Sequence, residues 1–308
     1  MRLEDFLRPW LTALLALAPP FAYSYPDVNH IIQCSVEANQ ADWEAQPKYD
    51  YRERDQTSQG TKTYDVAMIL GSPYRRLVEI DEKGLSSDDR QRELEKLNNT
   101  VAERETESPE EGARRIAKYK KDRERDHLLI QQLTKAFDFK LLGKQRMDGH
   151  DVYVLRATPR PDYMPPNVDS EVLKGMRGRL WIDTKTFQWV KVDAEVIRPV
   201  TIKGFLARVE PGTRFELEKE PVSAGIWFPK HFRMRSSSKL FFLFTHKTQA
   251  DQTYFRYRKQ TSDIEDKFKT GDCSSAGSEP QLSERFSDFP QGPWKPIETA
   301  RPNFSLKR

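Results

Sequence analysis

The sequence predicts a mainly β protein: a meandering antiparallel sheet with an N-terminal helix and one helical insertion. Three observations support this. From about residue 139 to 259, short strand-like segments alternate with turn signals, among them Asp148-Gly149, which predicts a tight hairpin turn. Residues 86–137 instead read as polar helix, without strand alternation. Between residues 28 and 45, apolar positions recur at helical spacing. With the strands expected over 48–84, the sheet has about ten or eleven strands.

Composition narrows the classes of function. The chain has 308 residues, of which 37% are hydrophobic and 32% are charged. The 51 basic residues face 47 acidic ones, which leaves a net charge of +4. Because the basic and acidic residues nearly cancel, the field of the protein steers charged ligands only weakly. This charge balance argues against a nucleic-acid partner.

The first 24 residues have the pattern of a secretory signal. Arg2 and Arg8 precede a short apolar run that ends in the small residues around Ser24. The run is too short to span a bilayer as a helix. We therefore expect a periplasmic or secreted protein, with a tethered or buried N-terminal helix as the alternative. No cysteine directly follows the run, so the protein is expected to be peripheral to the membrane at most.

The rest of the chain divides into three parts. Residues 25–260 form the expected domain, residues 86–137 are a helical insertion within it, and residues 261–308 are a polar tail that we expect to be disordered. Within the insertion, Ser108 and Glu111 have the spacing of a capping box at a helix start. In the first helix, near 28–45, Ile32, Val36 and Trp43 define the expected apolar face.

The stretch RGRLWIDTKTFQWVKVDAEV, residues 177–196, is expected to be a hairpin. With its turn centred on Lys185, Leu180 pairs with Val190 and Trp181 pairs with Trp189. One face is then wholly apolar and carries Leu180, Ile182, Val190, Val192, Ala194 and Val196. A later strand places Phe215 and Leu217 on one face in the same way.

This apolar face exceeds what two helices, near 28–45 and 127–137, can cover. The remaining sheet must close on itself or stay open as a ligand pocket. The stretch Lys239–Lys247 reads as one strand, either buried on both faces or facing such a pocket with Phe242 and Phe244. The candidate cavity residues are Leu180, Ile182, Val190, Val192, Phe215, Leu217, Phe242 and Phe244.

No pattern for catalysis or metal binding emerges from the sequence. The five histidines do not have metal-ligand spacing, and neither a nucleophile motif nor a phosphate-binding loop is present. We expect a protein that is not an enzyme, with no cofactor and no metal. Cys34 and Cys273 are able to pair in an oxidising compartment; the alternative is one buried thiol and one thiol in the tail.

The hairpin motif G-x-LWID-x-x-T, from Gly178 to Glu195, together with the tyrosine-rich KYDYRERD segment and a helix ending near Trp43, resembles the outer-membrane lipoprotein-sorting superfamily. This superfamily contains periplasmic carriers of the LolA/LolB type. The resemblance implies an unclosed antiparallel barrel of about eleven strands, lidded by helices, with a hydrophobic cavity for acyl chains. The implied partner is a lipid or an acylated lipoprotein.

A second hypothesis is an envelope regulatory or scaffolding protein on the same fold. Its insertion at 86–137 and its tail would then bind a protein partner. A hydrolase ranks last, because nothing in the sequence points to its catalytic groups.

Overall fold

The computed structural model describes residues 27–202, 207–240 and 244–260. The helices are α1 (Val28–Ala45), α2 (Ser87–Thr106) and α3 (Pro109–Ala136), and short 3₁₀ helices cover Gln46–Lys48 and Asp169–Gly175. The strands are β1 (Tyr49–Thr57), β2 (Gly60–Ile69), β3 (Ser72–Ile80), β4 (Lys83–Gly84), β5 (Phe137–Met147), β6 (His150–Pro159), β7 (Met176–Asp183), β8 (Trp189–Val196), β9 (Val200–Ile202), β10 (Ala207–Val209), β11 (Arg214–Ser223), β12 (Ile226–Leu240) and β13 (Phe244–Lys259).

The strands form one antiparallel sheet that does not close. Its order is β4-β3-β2-β1-β13-β12-β11-β8-β7-β6-β5, and the small β9–β10 hairpin lies beside the end of β12. β4 and β5 are therefore the two edges. The predicted mainly β class, the unclosed sheet, the N-terminal helix and the helical insertion are confirmed.

The largest apolar core lies on one face of this sheet, under α1 and α3. We call this the inner face and the opposite one the outer face. Ile31 of α1 and Leu129 of α3 pack there with Leu155 of β6 and with Leu180 and Ile182 of β7. Because strand side chains alternate between faces, Tyr153, Leu155 and Ala157 of β6 all contribute to this core.

The helical insertion is built into the domain on both faces. Leu97 of α2 packs on the outer face with Ala67 and Ile69 of β2. The chain then passes the β2–β3 turn and α3 lies over the inner face. Arg115 of α3 holds the start of α3 against the β2–β3 turn, because its guanidinium donates to the Leu70 carbonyl at 3.1 Å.

Two local predictions are confirmed. Asp148 and Gly149 both have positive φ, 48° and 82°, as the tight β5–β6 turn requires. At the start of α3, Ser108 and Glu111 form both halves of the capping box.

The predicted register of the hairpin at 177–196 is wrong along both strands, by two residues. Leu180 pairs with Val192, and a bulge follows, so that Ile182 pairs with Trp189. β7 ends at Asp183 and β8 begins at Trp189, so the turn is longer than the predicted turn centred on Lys185. It includes Phe187, whose φ is 57°. Trp181 and Trp189 consequently lie on opposite faces: Trp189 joins the inner core and Trp181 an outer cluster.

The stretch Lys239–Lys247 is not one strand. β12 ends at Leu240, β13 begins at Phe244, and these two residues pair antiparallel. Apolar composition alone does not show where a chain reverses, and this segment has no glycine or proline to mark it.

Several predictions fall on residues outside the described ranges. These are the signal at 1–24, the tail at 261–308 and the pairing of Cys34 with Cys273, all of which stay predictions. Among the described helices, none combines the length and apolar composition that a membrane crossing requires.

Candidate functional site

A cavity of about 440 Å³ lies between the inner face of the sheet and the helices α1 and α3. Its wall is mainly apolar. The helices contribute Trp43, Tyr119, Leu129, Ile130 and Leu133, and the sheet contributes Tyr49, Tyr51, Val66, Met68, Leu180, Trp189, Val192, Ala194, Phe215, Leu217, Phe228 and Phe232. The volume is in the range of about 300–1,000 Å³ that is usual for small-molecule sites.

The apolar wall follows from strand register. Leu180, Val192, Leu217 and Phe232 are paired in succession across β7, β8, β11 and β12. Since paired residues point to the same face, the four side chains form one continuous row along the cavity. The row is a fixed feature of the sheet and does not depend on loop conformation.

Aromatic side chains form the wall on the side of β1. The rings of Tyr49 and Phe228 meet edge to face at 5.1 Å between centroids. Tyr257 packs on Phe228 at 5.0 Å and on Tyr51 at 5.7 Å. Burial raises the pKa of Tyr51 and Tyr257 well above the usual value, so both stay neutral at physiological pH.

The structure places six of the eight predicted cavity residues. Leu180, Val192, Phe215 and Leu217 lie in the cavity wall. Ile182 is on the inner face but is fully buried in the packed core. Val190 instead packs in the outer cluster with Trp181. Phe242 lies outside the described residues, and only the backbone of Phe244 is described. The face assignment of Val190 is therefore corrected, because of the bulge in the hairpin.

A buried polar network interrupts the apolar wall between α1 and the sheet. The Lys219 ammonium of β11 donates to Asp42 Oδ2 at 2.5 Å and to Asn39 Oδ1 at 2.8 Å. The other Asp42 oxygen accepts from the Trp227 backbone N–H at 2.9 Å and from the Gln188 amide at 3.1 Å. The Lys219 and Asp42 side chains are 5% and 6% exposed, so this is a buried ion pair. Burial lowers the pKa of Lys219, and the Asp42 carboxylate opposes that effect.

Sequence reasoning missed this network, although a signal was present. Period two in β11 places Lys219 on the same face as Phe215 and Leu217. A lysine on an apolar face needs a buried partner. The partners were hidden because the buried face of α1 is partly polar and includes Asn39 and Asp42. The predicted face through Ile32, Val36 and Trp43 was therefore only partly right, since Val36 and Trp43 are half-buried.

A stacked cluster joins the two helices above the cavity. The rings of Trp43 in α1 and His127 in α3 are stacked, with centroids 4.6 Å apart. The Arg123 guanidinium lies 4.5 Å from the Trp43 ring and also donates to the Trp43 carbonyl. His127 Nε2 contacts the Gln40 amide oxygen. These contacts hold α1 against α3, and all but Gln40 line the cavity.

This cluster predicts a pH dependence. Burial lowers the pKa of His127, and the nearby Arg123 lowers it further. Its Nδ1 is buried without a hydrogen-bond partner in the described structure, so a proton there would find no acceptor. The unfolded chain therefore binds more protons than the folded one below about pH 6.5, and stability falls as pH drops through that range. In urea unfolding, His127→Phe should keep the stacking and lose less stability than wild type between pH 7 and pH 5. An equal loss in both proteins would contradict this.

The described residues contain no group of three histidine, cysteine or acidic side chains placed to hold a metal ion. Cys34 is half-buried in α1, with its sulfur 3.7 Å from a ring nitrogen of His30. The site as described therefore offers apolar contact area, a polar network and two helices that cover it.

No family model matches the chain, and no curated protein matches it. A DUF1329 family protein from Desulfovibrio piger is similar at 11% identity and a TM-score of 0.29, over 76% of this chain and 94% of that one. A putative outer membrane lipoprotein-sorting protein domain from Vibrio parahaemolyticus has 12% identity and a TM-score of 0.28, over 77% and 97%. A LolA superfamily protein from Nitrosomonas europaea has 11% identity and a TM-score of 0.27, over 77% and 94%. At such low identities and TM-scores, these similarities do not indicate what the protein binds or does.

Proposed function

We propose that the protein binds a lipid or an acylated partner by placing an acyl chain in the cavity beneath α1 and α3, without covalent chemistry. The observation that supports this is the cavity itself: about 440 Å³ of space enclosed mainly by apolar side chains. A folded core normally fills such space with its own atoms.

The energetics favour an acyl chain as the occupant. Each methylene group moved from water into an apolar site contributes about 0.8 kcal/mol, so a long chain supplies the gross binding energy from contact alone. The costs of association and of ordering the chain reduce that sum. The row through Leu180, Val192 and Leu217 offers contact along several strands, which suits an extended ligand.

The polar network gives the cavity a direction. Lys219, Asp42 and Asn39 line it, and they lie at the contact between α1 and the sheet. In our proposal the acyl chain of the ligand lies along the row of Leu180, Val192 and Leu217. The ester or carboxyl end of the ligand then remains near the polar groups of the network. An apolar ligand with no polar end would bind less well, because the network would then be cut off from water.

Binding to the folded state alone must raise stability. The full-length chain is titrated with cis-parinaric acid, a fluorescent fatty acid, and its thermal unfolding is followed. At about 100 times the dissociation constant, the unfolding free energy should rise by about 2.7 kcal/mol, a shift in Tm of roughly 5–10 °C. Saturable fluorescence without a shift in Tm would indicate surface adsorption, and the cavity would then not be the site.

One structural feature favours the scaffolding alternative. The side of α3 that faces solvent carries exposed basic residues, among them Arg114, Lys118 and Lys121. Against it, both helices of the insertion pack on the sheet, so the insertion is not a separate arm. A pull-down from envelope extract with Arg114, Lys118 and Lys121 changed to glutamine tests this alternative. Loss of a specific protein partner with fatty acid binding intact would favour the scaffold.

A further inference from the structure

Three basic side chains stand directly side by side on the outer face of the sheet. Lys140 of β5 pairs with Arg156 of β6, and Arg156 pairs with Arg179 of β7. All three are exposed. We call them the basic row. Adjacent strands are about 4.8 Å apart, so the row places three positive charges in line over roughly 10 Å.

The carboxylates further along the same line do not neutralise the basic row. Asp193 of β8 is opposite Arg179, but both of its oxygens accept from Arg214, at 3.0 and 2.7 Å. Beyond it, Arg233 makes ion pairs with Glu216 at 3.6 Å and with Asp251 at 2.9 Å. Within the described part of the chain, the three residues of the basic row therefore take no part in the ion pairs of the outer face.

Protection of the sheet edge explains only one of the three residues. A lysine on an edge strand discourages pairing with another chain, and Lys140 lies on the edge strand β5. Arg156 and Arg179 lie on β6 and β7, which have partners on both sides. Like charges on directly opposite residues destabilise a sheet. The basic row therefore lowers the stability of the fold, and edge protection accounts for Lys140 alone.

We propose that the basic row is a docking surface for an anionic phospholipid bilayer. The row lies on a sheet face, not in a pocket, and its side chains are exposed. Leu142, in the bulge that follows Lys140, is 45% exposed and adds an apolar side chain beside the charges. Basic side chains next to an apolar one favour the interface of an anionic membrane. This surface is on the face opposite the cavity wall and does not depend on what the cavity holds.

The experiment is sedimentation of the full-length chain with vesicles. Wild type should bind vesicles of phosphatidylcholine and phosphatidylglycerol at 3:1, and binding should weaken as salt is raised. With Lys140, Arg156 and Arg179 changed to glutamine, the partition coefficient should fall by roughly 100-fold, as expected for three basic residues near an anionic surface. Vesicles of pure phosphatidylcholine should bind wild type and variant equally weakly.

A matched variant controls for net charge. Changing Arg114, Lys120 and Lys121 of α3 to glutamine also removes three exposed charges and should change binding less than threefold. Both variants keep residues 1–24, so any membrane affinity of that segment is the same in both. Equal losses in the two variants, or no binding of wild type to anionic vesicles, would overturn the proposal. So would preferential binding of polyglutamate, which would make an acidic protein the occupant.

A single substitution separates function from structure. Arg156→Glu places a carboxylate between Lys140 and Arg179, so it should raise Tm by roughly 1–4 °C while reducing vesicle binding at least tenfold. If the row were needed for folding, Tm would fall instead. A fall in Tm would therefore count against the proposal.

Discussion

Replacement of Asp42 by alanine should lower the free energy of unfolding by about 3–5 kcal/mol, the usual cost of removing one partner from a buried ion pair. Without Asp42, the Lys219 ammonium stays buried with only amide oxygens nearby. The Trp227 backbone N–H also loses its acceptor. Urea unfolding at pH 7 measures the change.

The double variant Asp42→Asn/Lys219→Met identifies the cause. It removes both charges and keeps a side-chain oxygen for Trp227, so it should recover at least half of the stability lost in Asp42→Ala. Glu195→Ala is a matched control, because Glu195 pairs with Arg177 on the surface with side chains 42% and 62% exposed. That change should cost less than about 1 kcal/mol. Equal costs at Asp42 and Glu195 would show that the network contributes no more than a surface pair.

Substitution by phenylalanine should reduce ligand affinity at one valine of β8 and folding stability at another. Val192 is half-buried in the cavity wall, whereas Val190 is 2% exposed in the outer cluster with Trp181. Val192→Phe puts a ring into the empty space, so fatty acid affinity should fall at least tenfold with little change in stability. Val190→Phe overpacks a filled cluster and should lower the free energy of unfolding by about 1–3 kcal/mol, with affinity unchanged.

Both proteins are measured with cis-parinaric acid titration and urea unfolding. Because the two sites are two residues apart on one strand, general effects of a larger side chain are the same in each. If Val192→Phe destabilised the fold as Val190→Phe does, the space beneath the helices would have to be filled in solution. Unchanged affinity in Val192→Phe would place the ligand elsewhere.

Much of the sheet could be predicted because its signals are local. The Asp148-Gly149 turn, the capping box at Ser108 and the alternation in β11 are each decided within about ten residues. Those signals sufficed for the fold class and for four residues of the cavity wall. Phe215 and Leu217, two of these four, follow from the alternation in β11 alone.

The features that could not be predicted depend on distant partners or on single-residue geometry. One bulge and one residue with positive φ, Phe187, moved Val190 to the outer face. The pair of Lys219 and Asp42 joins residues 177 positions apart, and the polar face of α1 makes sense only once Lys219 lies against it. Nor does sequence composition show the reversal between Leu240 and Phe244.

Native mass spectrometry of the protein, purified from its own cell envelope without detergent exchange, tests most directly whether the cavity holds a lipid. We expect wild type and Val190→Phe to carry an added mass that fragments to fatty acyl groups, and Val192→Phe to lack it. Wild-type protein that carries no added mass and gains none after incubation with envelope lipids would contradict the proposed function.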